Sequence, residues 1–257
     1  MSARANESCA ARTPQLVGVG VGPGDPELLT LAGLRALREA DVVYVPVLAP
    51  TETGRAEAVV RAHLGAARKI TRLVFALNHA VAGSQQPRRQ RWDEAAERVV
   101  AGLDHGTTAV FATIGDPSVY STFGYLAATV RNLLPQVRVR TVPGITAVQA
   151  AASECGITLV EGAEPLTLVP VSRDLAGFAS ALAGAGTVVA YKSSGRFAAL
   201  REVVRSAGAL DRAYFAEHLG TPDERVRPLS TVGEDEAAPY LSTVLVLPRR
   251  GERGEQL

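Results

Sequence analysis

The stretch GVGVGPGDPELLT, residues 18–30, decides how the rest of the chain is read. Four of its first seven residues are glycine, and Asp25 stands among prolines just after them. It ends the apolar run QLVGVGVG (15–22), a short strand. It leads into DPELLTLAGLRALREA (25–40), where Leu28, Leu31, Leu34 and Leu37 recur every three residues and predict one amphipathic helix. Pro26 and Glu27 suit that helix's first turn, where a missing N–H costs nothing and a negative charge meets the positive end of the dipole. A glycine turn between strand and helix lets backbone N–H groups approach a ligand closely. Which ligand, and for what chemistry, is the question it raises.

The same alternation continues outward. DVVYVPV (41–47) reads as a strand, RAEAVVRAHL (55–64) as a helix and RLVFAL (72–77) as a strand. HAVAGSQQPRRQR (79–91) reads as a polar loop, and WDEAAERVVAGLDHG (92–106) as a helix closing on Gly106. TAVFATIGDPSVYSTFGYLAATVRNLL (108–134) gives strand, glycine turn and helix, and VRVRTVPGITAVQAAASECG (137–156) repeats the pattern. Four strands follow, in EPLTLVPV, GTVVAYKS, RAYFAEHLG and STVLVLP, with one helix, GRFAALREVVRSAG, between the second and third. No internal repeat is visible. The order predicts an α/β protein of two domains: an N-terminal parallel-sheet domain over 14–140 and a C-terminal α+β domain over 141–250. The boundary is expected near Thr141. Residues 1–13 and 251–257 read as tails, and PRRGERGEQL (248–257) as loose throughout.

Composition narrows the function classes. The 257 residues can bury a sizeable core, and 47% of them are hydrophobic against 21% charged, as in a soluble globular protein. A net charge of +1 gives no global field toward nucleic acid or an anionic membrane. The two cysteines, Cys9 and Cys155, suit neither a disulfide framework nor a metal site, and Cys155 reads as a small buried filler. His63, His79, His105 and His218 show no metal-ligand spacing. No run is long enough to span a membrane and the start lacks a secretory h-region, so a cytoplasmic protein is expected.

Three loops occupy the position where open α/β sheets bind ligands: GVGPGDP (20–26), TIGDPSVY (113–120) and VPGITAV (142–148). The dinucleotide fingerprint G-x-G-x-x-G fails in both registers, with Pro23 or Asp25 at the sixth position. The next acid, Asp41, precedes the second strand instead of ending it, and no G-x-x-x-x-G-K-[ST] phosphate loop exists. Asp116 could accept hydrogen bonds from a ligand or simply form the turn. Thr146 could contact a ligand or cap the following helix.

Taken together, in this order and spacing, the three loops resemble the tetrapyrrole methylase family of S-adenosylmethionine-dependent methyltransferases. VGVGPGDPELLTLAGLRALREADVVYVP resembles that family's opening almost throughout. GDPSVYSTFGYL, DRAYFAEHLGTPDERVRPLS and PYLSTVLV resemble its precorrin-2 C20-methyltransferase branch, in cobalamin biosynthesis. The resemblance runs from Gln15 to Arg249. It implies a homodimer of two-domain subunits with the methyl donor S-adenosylmethionine kinked in an interdomain cleft and released as S-adenosylhomocysteine. Carried over by position, it implies that Pro23 lines the cleft, that Ile114, Gly115 and Asp116 hold the methionine and ribose portions with Val119 beside them, and that Thr146 and Ala147 contact the donor. Tyr191 or Lys192 would touch the adenosine side, with Leu219 and Ser242 at later matching positions.

Three departures stand out. Gly33 interrupts the first helix, at an expected cost of about 1 kcal/mol. FALNHA lacks an expected Pro-Met step, and YKSSGR replaces a Met-Lys strand end. The implied reaction is in-line methyl transfer to the C20 meso carbon of a reduced tetrapyrrole, in which alignment and exclusion of water do most of the work. A base for the C20 proton would be Tyr120 or Asp25, with His79 and Glu217 as further candidates. Each has a plainer reading: packed aromatic, helix cap, solvated loop residue and strand-edge charge. The substrate is a polycarboxylate, so local arginines are expected, with Arg88, Arg89 and Arg91 the densest cluster and Arg173, Lys192 and Arg196 in reserve. The alternatives are another tetrapyrrole carbon, a diphthine-type protein substrate, an NAD(P)-dependent oxidoreductase and a non-catalytic S-adenosylmethionine-binding module.

Overall fold

The computed structural model describes residues 13–75, 88–103, 106–171 and 174–251. The chain divides into two compact units, Met1–Ile145 and Thr146–Leu257.

The first unit is built on a five-stranded parallel sheet. Its strands are β1 (Gln15–Gly20), β2 (Val42–Val47), β3 (Ile70–Val74), β4 (Thr108–Thr113) and β5 (Arg138–Val142), in the order β3-β2-β4-β1-β5. Four helices cover it: α1 (Leu31–Glu39), α2 (Arg55–Leu64), α3 (Arg88–Ala101) and α4 (Phe123–Leu133). Both faces of the central strands are buried, which explains why β1 and β4 are continuous apolar runs. Val17 and Val19 pack with Leu37, Val59 and Val60, so α1 and α2 lie on one face. Leu16 and Phe111 pack with Ala96, Val99, Phe123 and Leu126, so α3 and α4 lie on the other. Gly18 makes room for Phe123: a Cβ there would stand 2.5 Å from the ring.

This arrangement fixes where a ligand can bind. The chain leaves β1 toward β2 over one face and leaves β4 toward β5 over the other. The two connections diverge at adjacent strands, which opens a crevice outside the carboxyl ends of β1 and β4.

The second unit carries a mixed sheet in the order β6-β7-β10-β8-β9. The strands are β6 (Leu166–Pro170), β7 (Thr187–Tyr191), β8 (Ala213–Glu217), β9 (Arg225–Pro228) and β10 (Thr243–Val246). The β6–β7 pair is parallel and the other pairs are antiparallel. The helices α6 (Ala176–Leu182) and α7 (Phe197–Ser206) cover one face through Phe178, Phe197 and Leu200. The helix α5 (Ala147–Cys155) covers the other through Val148 and Ala151, packed on Val189 and Leu245.

Several sequence expectations change. The first helix is two pieces, a 3-10 turn over Pro26–Leu28 and then α1, because Leu29 is extended and Thr30 starts a new cap. The three-residue leucine pattern therefore does not mark one buried face: Leu31 is 82% exposed, while Leu37 is buried. Gly33 is a packing requirement as well as a helix weakness. Its N–H donates to Thr30 Oγ1 at 3.0 Å, and a Cβ would stand 2.9 Å from Leu29 Cδ1 and 3.3 Å from Val19 Cγ1. Arg88, Arg89 and Arg91 open α3 instead of lying in a loop, and α3 ends at Ala101, before Gly106. Thr141 lies inside β5, paired with Gly18, so the units divide later than expected. The second unit has a fifth strand, β9, and an additional helix, α6, neither read from the sequence. Cys155 is half-buried. The run from Pro248 is not loose at its start: Arg250 grips the Glu164 carboxylate at 2.7 and 3.0 Å and donates to the carbonyls of Thr158 and Leu159.

Candidate functional site

The three glycine loops at the carboxyl ends of β1, β4 and β5 are stitched to one another. Val21 N–H donates to the Thr113 carbonyl at 2.9 Å, and Gly115 N–H to the Gly22 carbonyl at 2.8 Å. Asp116, 8% exposed, ties the second loop to the third: its Oδ2 accepts the Gly144 N–H at 2.9 Å. Its Oδ1 accepts the Ser118 N–H at 2.7 Å and the Ser118 hydroxyl. Burial pushes the Asp116 carboxyl up, but the hydrogen bonds from Ser118 and Gly144 outweigh it and hold it below its ordinary value. Asp116 is therefore an ionised strut between loops.

The glycines serve the same contact. A Cβ on Gly20 would stand 2.5 Å from the Gly115 carbonyl oxygen and 2.7 Å from Gly144 Cα. A Cβ on Gly144 would meet the same carbonyl and stand 2.7 Å from Gly20 Cα. Three backbones touch here, which no side chain would allow. Gly115 differs: its φ is +69°, and a Cβ there would meet nothing within 4 Å, so the place of its missing side chain is open.

The other expected residues of this edge divide. Pro23 is buried, and Ile114 and Val119 are half-buried beside Gly115 and Asp116. Asp25 caps the 3-10 turn, its Oδ1 accepting the Glu27 N–H at 2.8 Å, so its plainer reading is the one observed. Tyr120 is 40% exposed at φ 50°, and burial pushes its phenol pKa up, which keeps the hydroxyl protonated near neutrality. It suits hydrogen-bond donation better than proton abstraction. Arg91 is half-buried at the start of α3. His79, His105 and Arg173 lie outside the described residues, as do residues 76–80 of FALNHA.

In the second unit, one end of the mixed sheet gathers the remaining expected residues. Thr243 pairs with both Tyr191 and Ala216, so the ends of β7 and β8 and the start of β10 lie together. Tyr191, Lys192, Leu219 and Ser242 therefore share one sheet end. Three non-glycine residues there adopt left-handed backbone: Lys192 (φ 59°), His218 (φ 55°) and Leu241 (φ 67°). Together with Tyr120 they are all such residues among those described, and each holds about 1–3 kcal/mol of strain, the kind that clusters at functional sites. The hydroxyls of Ser193 and Ser242 are buried there without a hydrogen-bond partner among the described residues. Glu217 is buried between Arg225, at 2.7 Å, and Arg227, at 3.2 Å, which hold its carboxylate in ion pairs. Arg196 is exposed in the turn before α7. Thr146 caps α5, its N–H and hydroxyl both donating to Gln149 Oε1, at 3.0 and 2.9 Å, and Ala147 is the first residue of that helix. Sequence reading missed Ser193, His218 as a strained residue, and Leu241. Backbone strain leaves no compositional trace outside glycine and asparagine, so no signal pointed to them.

Among the described residues, no helix is long and apolar enough to cross a membrane, and no three His, Cys, Asp or Glu side chains group as metal ligands.

The Precorrin-2 C(20)-methyltransferase of Sinorhizobium sp is 31% identical over 235 residues, covering 90% of this chain and 94% of that one. The Cobalamin biosynthesis protein CobIJ of Mycobacterium bovis is also 31% identical, over 236 residues. There the match covers 90% of this chain but 45% of the relative, so the chain spans about half the length of that longer protein. Among solved structures, Uroporphyrin-III C-methyl transferase from Thermus thermophilus, complexed with S-adenyl homocysteine, superposes with a TM-score of 0.63 at 25% identity. That superposition covers 90% of this chain and 96% of the other. Residues 15–234 match the sequence pattern of the Tetrapyrrole (Corrin/Porphyrin) Methylases. The chain belongs to the tetrapyrrole methylase family.

Proposed function

We propose that this chain is an S-adenosylmethionine-dependent C-methyltransferase that methylates C20 of precorrin-2, metal-free or cobalt-loaded, in cobalamin biosynthesis. The observation that carries the reading is the open side-chain position of Gly115, on a loop edge tied together by Asp116 and packed glycine to glycine. A ligand can lie against the Gly115 Cα there without meeting a side chain. The relative of Sinorhizobium carries the activity in its name, and the Thermus neighbour was crystallised with S-adenyl homocysteine.

The donor supplies an electrophilic methyl group on a sulfonium. What the protein must add is alignment and exclusion of water, and a rigid edge serves the first. In this reading Ile114, Gly115 and Val119 contact the donor while Asp116 keeps their loop in shape. Thr146, Ala147, Tyr191, Lys192, Leu219 and Ser242 contribute from the second unit, and Pro23 shapes the first loop. Tyr120 hydrogen-bonds the substrate, leaving the C20 proton to solvent. Arg88, Arg89 and Arg91 bind substrate carboxylates. The chain works as a homodimer in the cytoplasm.

The test is to incubate the protein with S-adenosylmethionine and precorrin-2, with and without cobalt. A product heavier by one methyl group supports the reading. No mass shift with either substrate overturns it, and tight donor binding without turnover favours a binding module instead.

A further inference from the structure

One buried charge in the second unit has no counter-charge among the described residues. The buried charged side chains there and in the first unit are Glu57, Asp116, Glu217 and Arg201. Glu57 lies between Arg61 and Arg72, Asp116 accepts from Ser118 and Gly144, and Glu217 lies between Arg225 and Arg227. Arg201 is 8% exposed, on the buried face of α7 with Phe197, Leu200 and Val204. It makes no hydrogen bond or ion pair with a described residue, and its Nε is buried without a partner. The acids on this flank of α7 are taken or solvated. Arg205, one turn further along, holds Glu202 at 2.6 Å and Glu234 at 2.8 Å, Glu236 pairs with Arg227, and Asp235 is exposed. A buried lysine can relieve such a position by releasing its proton, but a guanidinium keeps its charge. An arginine kept here calls for an anion from outside the chain.

We infer that Arg201 is a substrate-binding residue whose guanidinium takes one carboxylate of the tetrapyrrole. This rests on the proposed reaction, which brings a polycarboxylate next to the methyl donor. Long side chains on a helix lean toward its N-terminus, so the Arg201 guanidinium is carried toward the first turn of α7. The chain enters that turn from the end of β7 through Ser194–Arg196, just after Tyr191 and Lys192. The donor itself is a poor partner for a buried cation. It carries a sulfonium and an ammonium against one carboxylate, so it brings net positive charge, whereas the tetrapyrrole brings only carboxylates to pair with. A carboxylate also matches the planar fork of the guanidinium, and the pair gains strength where water is excluded. In the free protein the unpaired charge weakens the fold, and in the complex it strengthens substrate binding.

The experiment compares the wild type with Arg201→Met, which keeps the aliphatic bulk without the charge, and Arg201→Lys, which keeps the charge without the fork. It measures the melting temperature of the free protein, the calorimetric Kd for S-adenosylhomocysteine, and kcat and KM for precorrin-2. It also measures, by fluorescence, the Kd for uroporphyrin III, a tetrapyrrole polycarboxylate. For Arg201→Met the expected result is a melting temperature no lower than the wild type's and an unchanged Kd for S-adenosylhomocysteine. The KM for precorrin-2 and the Kd for uroporphyrin III should both rise about tenfold, with kcat changed less. Arg201→Lys should recover part of that loss. Unchanged tetrapyrrole values in Arg201→Met overturn the inference. A lowered melting temperature overturns it too, by showing that the charge is already compensated within the chain, and so does an equal loss of S-adenosylhomocysteine affinity. If the wild type does not methylate precorrin-2, the proposed function falls while uroporphyrin III binding still decides the role of Arg201. A wild type that neither methylates the one nor binds the other refutes both.

Discussion

The Asp116 carboxylate holds the Gly144 N–H at 2.9 Å, joining the loop after β4 to the loop after β5 across the end of β1. Its other oxygen is taken by Ser118. Sequence reading offered Asp116 as a ligand acceptor or a turn-former, and the geometry gives it a third role as a strut between loops. Asp116→Ala leaves the Gly144 and Ser118 N–H groups without their acceptor and should cost about 1–3 kcal/mol of stability. Donor affinity should fall as well, because the Gly115 backbone loses its support. Asp116→Asn keeps the shape but replaces one acceptor oxygen by an NH2 group, so it should recover only part of each loss. Urea denaturation and calorimetry on the two variants check this.

The glycines of the edge make a sharper prediction. Gly144→Ala forces a Cβ against the Gly115 carbonyl and the Gly20 backbone, where no flexible side chain can move aside. It should destabilise the protein by about 1–3 kcal/mol or more and weaken donor binding. Gly115→Ala meets nothing but carries strain at φ +69°, so its stability loss should be smaller while the added methyl enters the ligand's space. A large affinity loss at Gly115 with a small stability loss, and large losses of both at Gly144, would separate ligand space from packing.

Away from the edge, Glu57 is a buried carboxylate gripped by Arg72 at 2.6 Å and Arg61 at 2.7 Å. The same Arg72 donates to the Pro50 carbonyl and Thr53 Oγ1, so it also holds the loop that follows β2. The Arg72 bond draws Glu57 below the usual carboxylate range, against burial that pushes it up, with Arg61 adding to the lowering. A depressed folded-state pKa stabilises above the unfolded value and is lost as pH falls through the folded one. Stability should therefore decline from about pH 4.3 downward. Glu57→Gln should cost about 3 kcal/mol at neutral pH and flatten this acid limb. Urea midpoints between neutral and acid pH measure both effects.

At the chain's far end, Arg250 lies in a bidentate pair with Glu164, whose side chain is nearly buried. The Arg250 bond holds the Glu164 carboxyl below its ordinary value, against burial. Arg250→Ala leaves that carboxylate unpaired and should lower the melting temperature by several degrees, about 2–4 °C per kcal/mol at this size. Arg250→Lys should recover little, because an ammonium cannot form the fork.

How far the sequence spoke can be judged from particular residues. The α/β order was legible because Val17, Val19, Val110 and Ala112 lie in continuous apolar runs of a sheet buried on both faces. The leucines at 28, 31, 34 and 37 misled because spacing alone does not reveal the extended Leu29 that splits the helix. Strand β9, with two arginines in its four residues, carries no hydrophobic signal: it is an edge strand held by Glu217 and Glu236. The glycines of the first loop were legible as a close approach, but not what approached. The partners are Gly115 and Gly144 in distant segments, and contacts between three loops are invisible until the strand order is known. The family was legible from the motifs of those loops, whereas the orphan hydroxyl of Ser193 depends on packing that no motif records.

The central claim, transfer to C20 of precorrin-2, is tested most directly by following the methyl carbon. The protein is supplied with S-adenosylmethionine labelled with carbon-13 in the methyl group, and the product is examined by carbon-13 NMR. The account predicts a single new labelled methyl, attached to the meso carbon C20. Label on any other ring carbon, or no labelled product in the presence of bound donor, would contradict it.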